Sequence, residues 1–126
     1  MKKKIKRVYV AGLLTPRGIK STNPAIEYLI NISDMVDEAL RVMFAGYTPF
    51  CPALDFLYFL KTKKRITEAM IKRHSKDWLE VCEAIVLTPD WEKSPGTRAE
   101  IELANKLGIL VFETLEELIE YDKQGE

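Results

Sequence analysis

Short apolar runs alternate along this chain with longer segments in which apolar side chains recur every three or four positions. The runs that favour β-structure are Arg7 to Ala11, Tyr47 to Cys51, Ala84 to Thr88 and Ile109 to Phe112. They are rich in Val, Ile, Tyr and Phe, which pack well in strands. We therefore predict four strands, with helices wherever the apolar spacing follows a helical period.

The longest helical pattern follows the first predicted strand and its loop. Residues 12–24 carry turn-forming residues, and Asn23 followed by Pro24 suits an N-cap and a first helical position. Apolar residues then recur at helical spacing as far as Gly46. A glycine there is suited to end a helix in the left-handed conformation.

The segment between the second and third strands has a mixed pattern. Residues 53–69 join an apolar stretch to a basic one. They predict a short helix and then an excursion that is either mobile or directed towards another subunit. A further helix follows, and one of its sides carries Met70, His74, Asp77, Trp78 and Val81. The chain closes with a helix predicted from Thr114 to Tyr121.

Strands that alternate with helices indicate a parallel α/β sheet. Because crossovers between parallel strands are right-handed, such a sheet is covered by helices on both faces. The length of 126 residues suits one domain. We therefore predict a single domain over residues 1–126, a three-layer, doubly wound (Rossmann-like) sheet of four to five mainly parallel strands.

Composition excludes several classes of function. The 19 basic and 19 acidic residues balance, so the chain lacks the basic excess of a nucleic-acid binder. No apolar run approaches membrane-spanning length, and we expect a cytoplasmic protein without membrane contact. Cys51 and Cys82 form no CxxC pair and are expected to be reduced, buried thiols. The single histidine, His74, is expected at a helix surface or boundary rather than on a metal.

Candidate chemistry concentrates after the third strand. Ser94, Gly96 and Thr97 lie in the loop, and Glu100 lies at the start of the next helix. Loops at the carboxyl ends of parallel strands bind ligands, and a helix N-terminus offers N–H groups to an anion. Thr97 and Glu100 also fit a capping box, with Thr97 at the N-cap and Glu100 at N3. The pattern alone therefore fits either a phosphate site with a reactive carboxylate or an ordinary capped turn.

Five residues elsewhere are further candidates, each with a plainer interpretation. Tyr9 lies near the carboxyl end of the first strand, where it reaches the same crevice or simply packs in the sheet. Asp77 flanks an apolar helix stripe, although most helical aspartates face water. Asp90 and Trp91 form either a turn or a cover over a ligand. Arg17 pairs with a phosphate or lies at the surface.

Taken together, these positions resemble the nucleoside 2-deoxyribosyltransferase superfamily. The first strand of that family carries a tyrosine and then a glycine, matched here by Tyr9 and Gly12. The helix before its third strand carries an aspartate, matched in spacing by Asp77. The loop after that strand carries the remaining matches, which are Ser94, Gly96 and Glu100. The resemblance runs over nearly the whole chain in element order.

Ser94 distinguishes two branches of that superfamily. The nucleoside transferases typically have an aspartate there, which binds the sugar 5′-hydroxyl. The related 2′-deoxynucleoside 5′-phosphate N-hydrolases have a serine, which helps to bind the 5′-phosphate. A hydroxyl donates to a phosphate dianion, whereas a carboxylate repels it. The resemblance therefore implies the nucleotide-hydrolase branch.

The activity implied by this resemblance is cleavage of the N-glycosidic bond of a (deoxy)nucleoside 5′-monophosphate, with release of the base or transfer of the sugar. Glu100 would attack C1′ and form a glycosyl-enzyme. Tyr9 would fix the Glu100 carboxylate, and Asp77 would contact and protonate the base. The implied substrate-binding residues are Gly12, Arg17, Asp90, Trp91, Ser94, Gly96 and Thr97. The resemblance implies no metal or organic cofactor.

Assembly and turnover are open at this point. Members of the superfamily build their sites with a neighbouring subunit, so a homodimer or higher homo-oligomer is implied. The apolar stripe formed by Phe56, Leu57, Phe59 and Leu60 suits such an interface, and burial in the core explains it equally well. The alternatives to a nucleotide hydrolase are a non-catalytic nucleotide-binding module of the same fold and a nucleoside 2-deoxyribosyltransferase.

Overall fold

A sheet of four parallel strands forms the centre of the molecule. The computed structural model describes residues 4–62 and 65–124. Within them the strands are β1 (Arg7–Ala11), β2 (Thr48–Phe50), β3 (Ala84–Leu87) and β4 (Leu110–Phe112). Their spatial order is β2-β1-β3-β4, and each neighbouring pair is parallel. The predicted three-layer α/β class is confirmed.

Helices connect the strands and cover both faces of the sheet. They are α1 (Pro24–Phe44), α2 (Phe56–Thr62), α3 (Glu68–Glu80), α4 (Pro95–Leu107) and α5 (Leu115–Lys123). Two short 3-10 segments, Pro52–Asp55 and Trp91–Lys93, follow β2 and β3. No helix in the described part of the chain combines the length and the apolar character needed to cross a membrane.

The alternation of side chains along the strands divides the core into two layers. Val8 and Val10 of β1 pack with residues of α1 and α5 on one face. Tyr9 and Ala11 point to the other face and pack with Leu79 of α3 and with residues of α4. This alternation follows from the pleat of a strand. It places Tyr9 in the layer that also contains α4.

The predicted boundaries of α1 are confirmed by its end geometry. The side-chain oxygen of Asn23 accepts hydrogen bonds from the backbone N–H groups of Ala25 and Ile26. Pro24 occupies the first helical position, where its missing N–H costs nothing. Gly46 follows the C-terminus with φ of 100°, the conformation for which a glycine was expected.

The start of α4 differs from the prediction. Its N-cap is Ser94, whose hydroxyl accepts from the backbone N–H of Thr97 at 3.1 Å. Ser94 is preferred at an N-cap and Pro95 at the position after it, so the helix begins one turn earlier than a Thr97 cap implies. The assignment of Thr97 to the N-cap and Glu100 to N3 was therefore wrong. Glu100 lies in the second turn, beyond the reach of a capping role.

The segment after β2 agrees with the prediction in part. Its short helix is α2, and Thr67 caps α3 by accepting from the N–H of Met70. Residues 63 and 64 of the predicted excursion lie outside the described residues. Leu57 and Leu60 of the apolar stripe are 58% and 59% exposed, so burial in the core does not account for them. Cys51 and Cys82 are both free and buried, as expected.

Candidate active site

A cavity of about 740 Å³ opens at the carboxyl edge of the sheet. The end of β1 and the 3-10 segment after β2 border it, and α1, α2, α3 and α4 contribute its walls. Its volume lies within the usual range for sites that bind small molecules. The predicted site residues that line it are Tyr9, Gly12, Arg17, Ser94, Gly96, Thr97 and Glu100.

The central feature of this cavity is a hydrogen bond between β1 and α4. The Tyr9 hydroxyl donates to Oε2 of Glu100. Tyr9 is fully buried, and Glu100 projects from the same side of α4 as buried Ala104, one turn further along. Two residues that are 91 positions apart in the chain are thus joined at the cavity wall.

Burial sets the protonation of this pair. It raises the pKa of Glu100, and the hydrogen bond from Tyr9 acts in the opposite direction by stabilising the carboxylate. Burial, and then the charge of Glu100, raise the pKa of Tyr9 well above its ordinary value. Tyr9 therefore remains a proton donor to Glu100 at physiological pH. The Ser75 side chain on α3 also interacts with the Tyr9 hydroxyl.

The N-terminus of α4 is tied to the end of β1 at Gly12. The Thr97 hydroxyl donates to the Gly12 carbonyl oxygen at 3.1 Å, and its oxygen lies 3.0 Å from the Ser94 hydroxyl. A Cβ on Gly12 would lie 1.7 Å from the Thr88 hydroxyl oxygen at the end of β3. Gly12 is therefore required for the close packing of these strand ends, and Thr97 serves mainly to hold α4 against them.

A buried glutamate holds the loop between β1 and α1. The two carboxylate oxygens of Glu27 accept from four consecutive backbone N–H groups, those of Arg17, Gly18, Ile19 and Lys20, at 2.6–2.9 Å. These bonds, that of Lys20 foremost, lower the pKa of Glu27. The loop that carries Arg17 along the cavity is consequently fixed by one side chain.

Among the cavity residues that were not anticipated from the sequence, Asp55 and Ser75 interact with Tyr9. Asp55 ends the 3-10 segment after β2, is 7% exposed and lines the cavity. Its position just beyond the carboxyl end of a parallel strand is the signal that could have identified it. Ser75 lies between Ile71 and Leu79 on the face of α3 that borders the cavity. The four-residue spacing of these three positions is the corresponding signal on α3.

Three predicted site residues are not brought to the cavity. Asp77 is exposed and lies two positions from Ser75, which turns it about 200° around the helix from the cavity side. Asp90 borders a separate cavity of about 350 Å³. Trp91 packs against the core layer between the sheet and α3 and α4. In the described residues, no group of three or more His, Cys, Asp or Glu side chains is placed to hold a metal ion.

A model of one protein family matches residues 6–113 of the chain, and its description is "Domain of unknown function (DUF4406)". The chain belongs to this family. The DUF4406 match contains all four strands and α1 to α4, so every residue that borders the larger cavity lies inside it. No curated protein matches the chain. The DUF4406 description assigns no chemistry, and the resemblance to the deoxyribosyltransferases stays a prediction.

Proposed function

We propose that the larger cavity binds a (deoxy)nucleoside 5′-monophosphate and that Glu100 cleaves its N-glycosidic bond through a glycosyl-enzyme. The observation that carries this proposal is the hydrogen bond between buried Tyr9 and half-buried Glu100 on the cavity wall. A carboxylate oriented by a fixed donor is what a glycosidase nucleophile requires. The cavity on either side of this pair offers two different environments.

The hydrogen bonding and burial of the Glu100 carboxylate support a nucleophilic role. Only Tyr9 donates to it among the described residues, so its second carboxylate oxygen has no protein donor. Burial makes the carboxylate more basic than an exposed one, while the Tyr9 bond favours its ionised form. A structural carboxylate in a similar setting would be expected to have more donors.

The α4 side of the cavity suits an anion. Pro95 has no N–H, the Thr97 N–H is taken by Ser94, and the Arg98 N–H bonds the Ser94 carbonyl oxygen. The Gly96 N–H at this N-terminus has no acceptor among the described residues. A Cβ on Gly96 would meet nothing closer than 3.9 Å, so the glycine leaves room for a close approach. These features, with Arg17 in the lining of the same cavity, favour a phosphate here.

The β2 side of the cavity suits a planar apolar group. Phe56 and Phe59 of α2, Tyr28 of α1 and Ile71 of α3 line it. The sheet order places β2 on one side of β1 and β3 on the other, so this side lies across Tyr9 from the α4 N-terminus. A nucleobase against the aromatic side and a phosphate at α4 would place the sugar between them, beside Glu100.

The proposed reaction balances in two displacements. A Glu100 oxygen forms a bond to C1′ as the bond from C1′ to the base nitrogen breaks, and the electron pair leaves with the base. Water then attacks C1′, releases Glu100 as a carboxylate and gives the sugar phosphate. If a second base attacks instead of water, the same intermediate yields transfer.

A panel of ribo- and deoxyribonucleosides and their 5′-monophosphates tests the proposal. Each compound is incubated with the protein, with and without a free acceptor base, and products are separated by chromatography. Free base from the monophosphates supports the hydrolase, and exchange that needs the acceptor supports the transferase. Thermal stabilisation by a monophosphate without any product supports the non-catalytic binding module. Neither product nor stabilisation across the panel would refute the proposal.

A further inference from the structure

Asp55 lies at the aromatic side of the cavity and is not explained by the chemistry assigned to Glu100. It ends the 3-10 segment that begins at Pro52 and is almost completely enclosed, yet it borders the cavity. Neither of its oxygens accepts a hydrogen bond from any residue described. Since no fully buried side-chain oxygen among the described residues lacks a partner, the Asp55 carboxyl keeps access to the cavity instead of a protein donor.

The groups that face Asp55 come from four elements. Nε2 of His74 on α3 lies 3.8 Å from Oδ1 of Asp55. The charge of Asp55 contributes to raising the pKa values of Tyr9 on β1, Tyr28 on α1 and Cys51 before the 3-10 segment. The titratable groups that interact with Asp55 are thus two tyrosines, a thiol and one imidazole. Of the described lysines and arginines, none forms an ion pair with it.

These surroundings favour the protonated carboxyl. Burial raises the pKa of Asp55, and the neighbouring His74 counteracts part of that effect when it is charged. Glu100, across Tyr9, differs because it receives a hydrogen bond that favours its ionised form. A glycosidase site uses one carboxyl group as an acid and another as a nucleophile, and of these two carboxyl groups only Glu100 has a hydrogen-bond donor that favours its ionised form.

We infer that Asp55 is the general acid that protonates the departing base, and that His74 is a positioning residue that holds the Asp55 carboxyl. This inference rests on the proposed function. It replaces Asp77, which the sequence had favoured for this role and which lies on the exposed side of α3.

The proton balance closes over one turnover. As the C1′–N bond breaks, the Asp55 proton passes to the base nitrogen that receives the electron pair. When water attacks the glycosyl-enzyme, its proton passes to the Asp55 carboxylate. The base leaves protonated, the sugar gains a hydroxyl, and both Asp55 and Glu100 return to their starting states.

Substrates with different leaving groups separate the acid from the nucleophile. An aryl 2-deoxyriboside 5-phosphate with a nitrophenolate leaving group needs no proton at departure, whereas a purine or pyrimidine does. We expect Asp55→Asn to lower kcat/KM for the nucleotide about 10²-fold or more and for the aryl substrate less than about 10-fold. Glu100→Gln should abolish both activities. Asp37→Asn, an exposed aspartate on α1, is the matched control.

The outcomes distinguish this inference from the function on which it rests. Equal losses for both substrates in Asp55→Asn, or no loss for either, would overturn the acid role while leaving the glycosidase intact. A wild-type protein that cleaves neither substrate would overturn the proposed function and this inference with it. The melting temperature of each variant shows whether a loss reflects unfolding.

His74 gives an independent test that leaves Asp55 in place. A general acid is active only while protonated, so kcat/KM for the nucleotide should fall as pH rises through the pKa of Asp55. His74→Gln removes the neighbouring imidazole, whose interaction lowers the pKa of Asp55, and should move that fall to higher pH, with less effect on the aryl substrate. An unchanged profile would contradict the positioning role of His74.

Discussion

Glu27, which is buried, and Glu100, which is half-buried, both lie near the beginning of a helix at the same edge of the sheet, yet their surroundings are opposite. Glu27 accepts four backbone hydrogen bonds, and its pKa is lowered. Glu100 accepts one hydrogen bond, from Tyr9, and its pKa is raised. The comparison distinguishes a carboxylate that organises a loop from one that remains available to a ligand.

The two loops that border the cavity also differ in how side chains hold them. The loop after β1 is fixed by side chains of α1: Glu27 holds its backbone N–H groups, and Asn31 donates to the Leu14 carbonyl oxygen at 2.9 Å. The loop after β3 leads into α4, whose cap and Thr97 hydroxyl hold the helix while leaving Glu100 free. The fold thus provides hydrogen-bonded support around the carboxylate that is proposed to react.

The largest expected effect concerns Glu100. Glu100→Gln should lower base release by about 10³-fold or more, because an amide is a poor nucleophile at C1′. It should leave the melting temperature unchanged or raise it, since burial disfavours the carboxylate. The control is Glu102→Gln, an exposed residue on the same helix. A marked loss of stability without loss of activity would make Glu100 a structural residue like Glu27.

The junction of the two loops at Gly12 gives the second effect. Gly12→Ala places a Cβ 1.7 Å from the Thr88 hydroxyl oxygen and should destabilise the fold by about 3 kcal/mol. Denaturant unfolding measures this, and adding Thr88→Ala should recover part of it. The recovery is incomplete because the Thr88 Cβ itself would lie 2.8 Å away. Full stability of Gly12→Ala alone would contradict the close packing of the strand ends.

The third effect is a dependence on pH with opposite signs at the two glutamates. The lowered pKa of Glu27 contributes stability above its unfolded pKa of about 4.3, and this is lost as pH falls through the folded pKa. The raised pKa of Glu100 contributes stability at acid pH that is lost as pH rises through its folded value.

Thermal melts between pH 3 and pH 8 would measure both contributions. Glu27→Gln should lower the melting temperature by roughly 5–10 °C at pH 7 and less at pH 3. Glu100→Gln should flatten the profile between the unfolded and folded pKa values of Glu100. Identical profiles of melting temperature against pH for the two variants would contradict the opposite pKa shifts assigned to these glutamates.

The smallest effect concerns the α4 N-terminus. Gly96 is helical, and its missing Cβ faces open space, so Gly96→Ala should raise stability by up to about 1 kcal/mol. The same methyl group would intrude where the phosphate is proposed to approach, so the apparent Kd for a monophosphate should rise several-fold. Calorimetric titration measures this. An unchanged Kd would contradict the proposal that the phosphate binds at the α4 N-terminus.

How far the sequence predicts this molecule depends on which residues decide each feature. The strands and the N-terminal cap of α1 depend on residues close together in the chain, so Asn23 and Pro24 sufficed to predict where α1 begins. At α4, both Ser94 and Thr97 are suitable N-cap residues. The structure selects Ser94, with Pro95 at the first helical position. The capping interpretation of Glu100 therefore failed, whereas its proximity to Tyr9 was expected and is confirmed.

Asp55, the proposed acid on the other side of the cavity, was missed for a different reason. The helical phase of α3 is ambiguous from apolar positions alone, because His74 and Trp78 lie partly outside the core. Asp77 was assigned to the site because it flanks the apolar stripe and matches the aspartate of the superfamily in spacing, and Ser75 was not considered. Asp55 belongs to a short segment without periodicity, and its burial depends on how α2 and α3 fold over β2. Such tertiary placement cannot be inferred from spacing.

Trapping the proposed intermediate tests the central claim most directly. Wild-type protein is mixed with a deoxynucleoside 5′-monophosphate, quenched in acid after a short time and digested, and the peptides are weighed by mass spectrometry. We predict a sugar phosphate on the peptide that contains Glu100, and none in Glu100→Gln. Release of base at an undiminished rate by Glu100→Gln, with no adduct in the wild-type protein, would contradict the account.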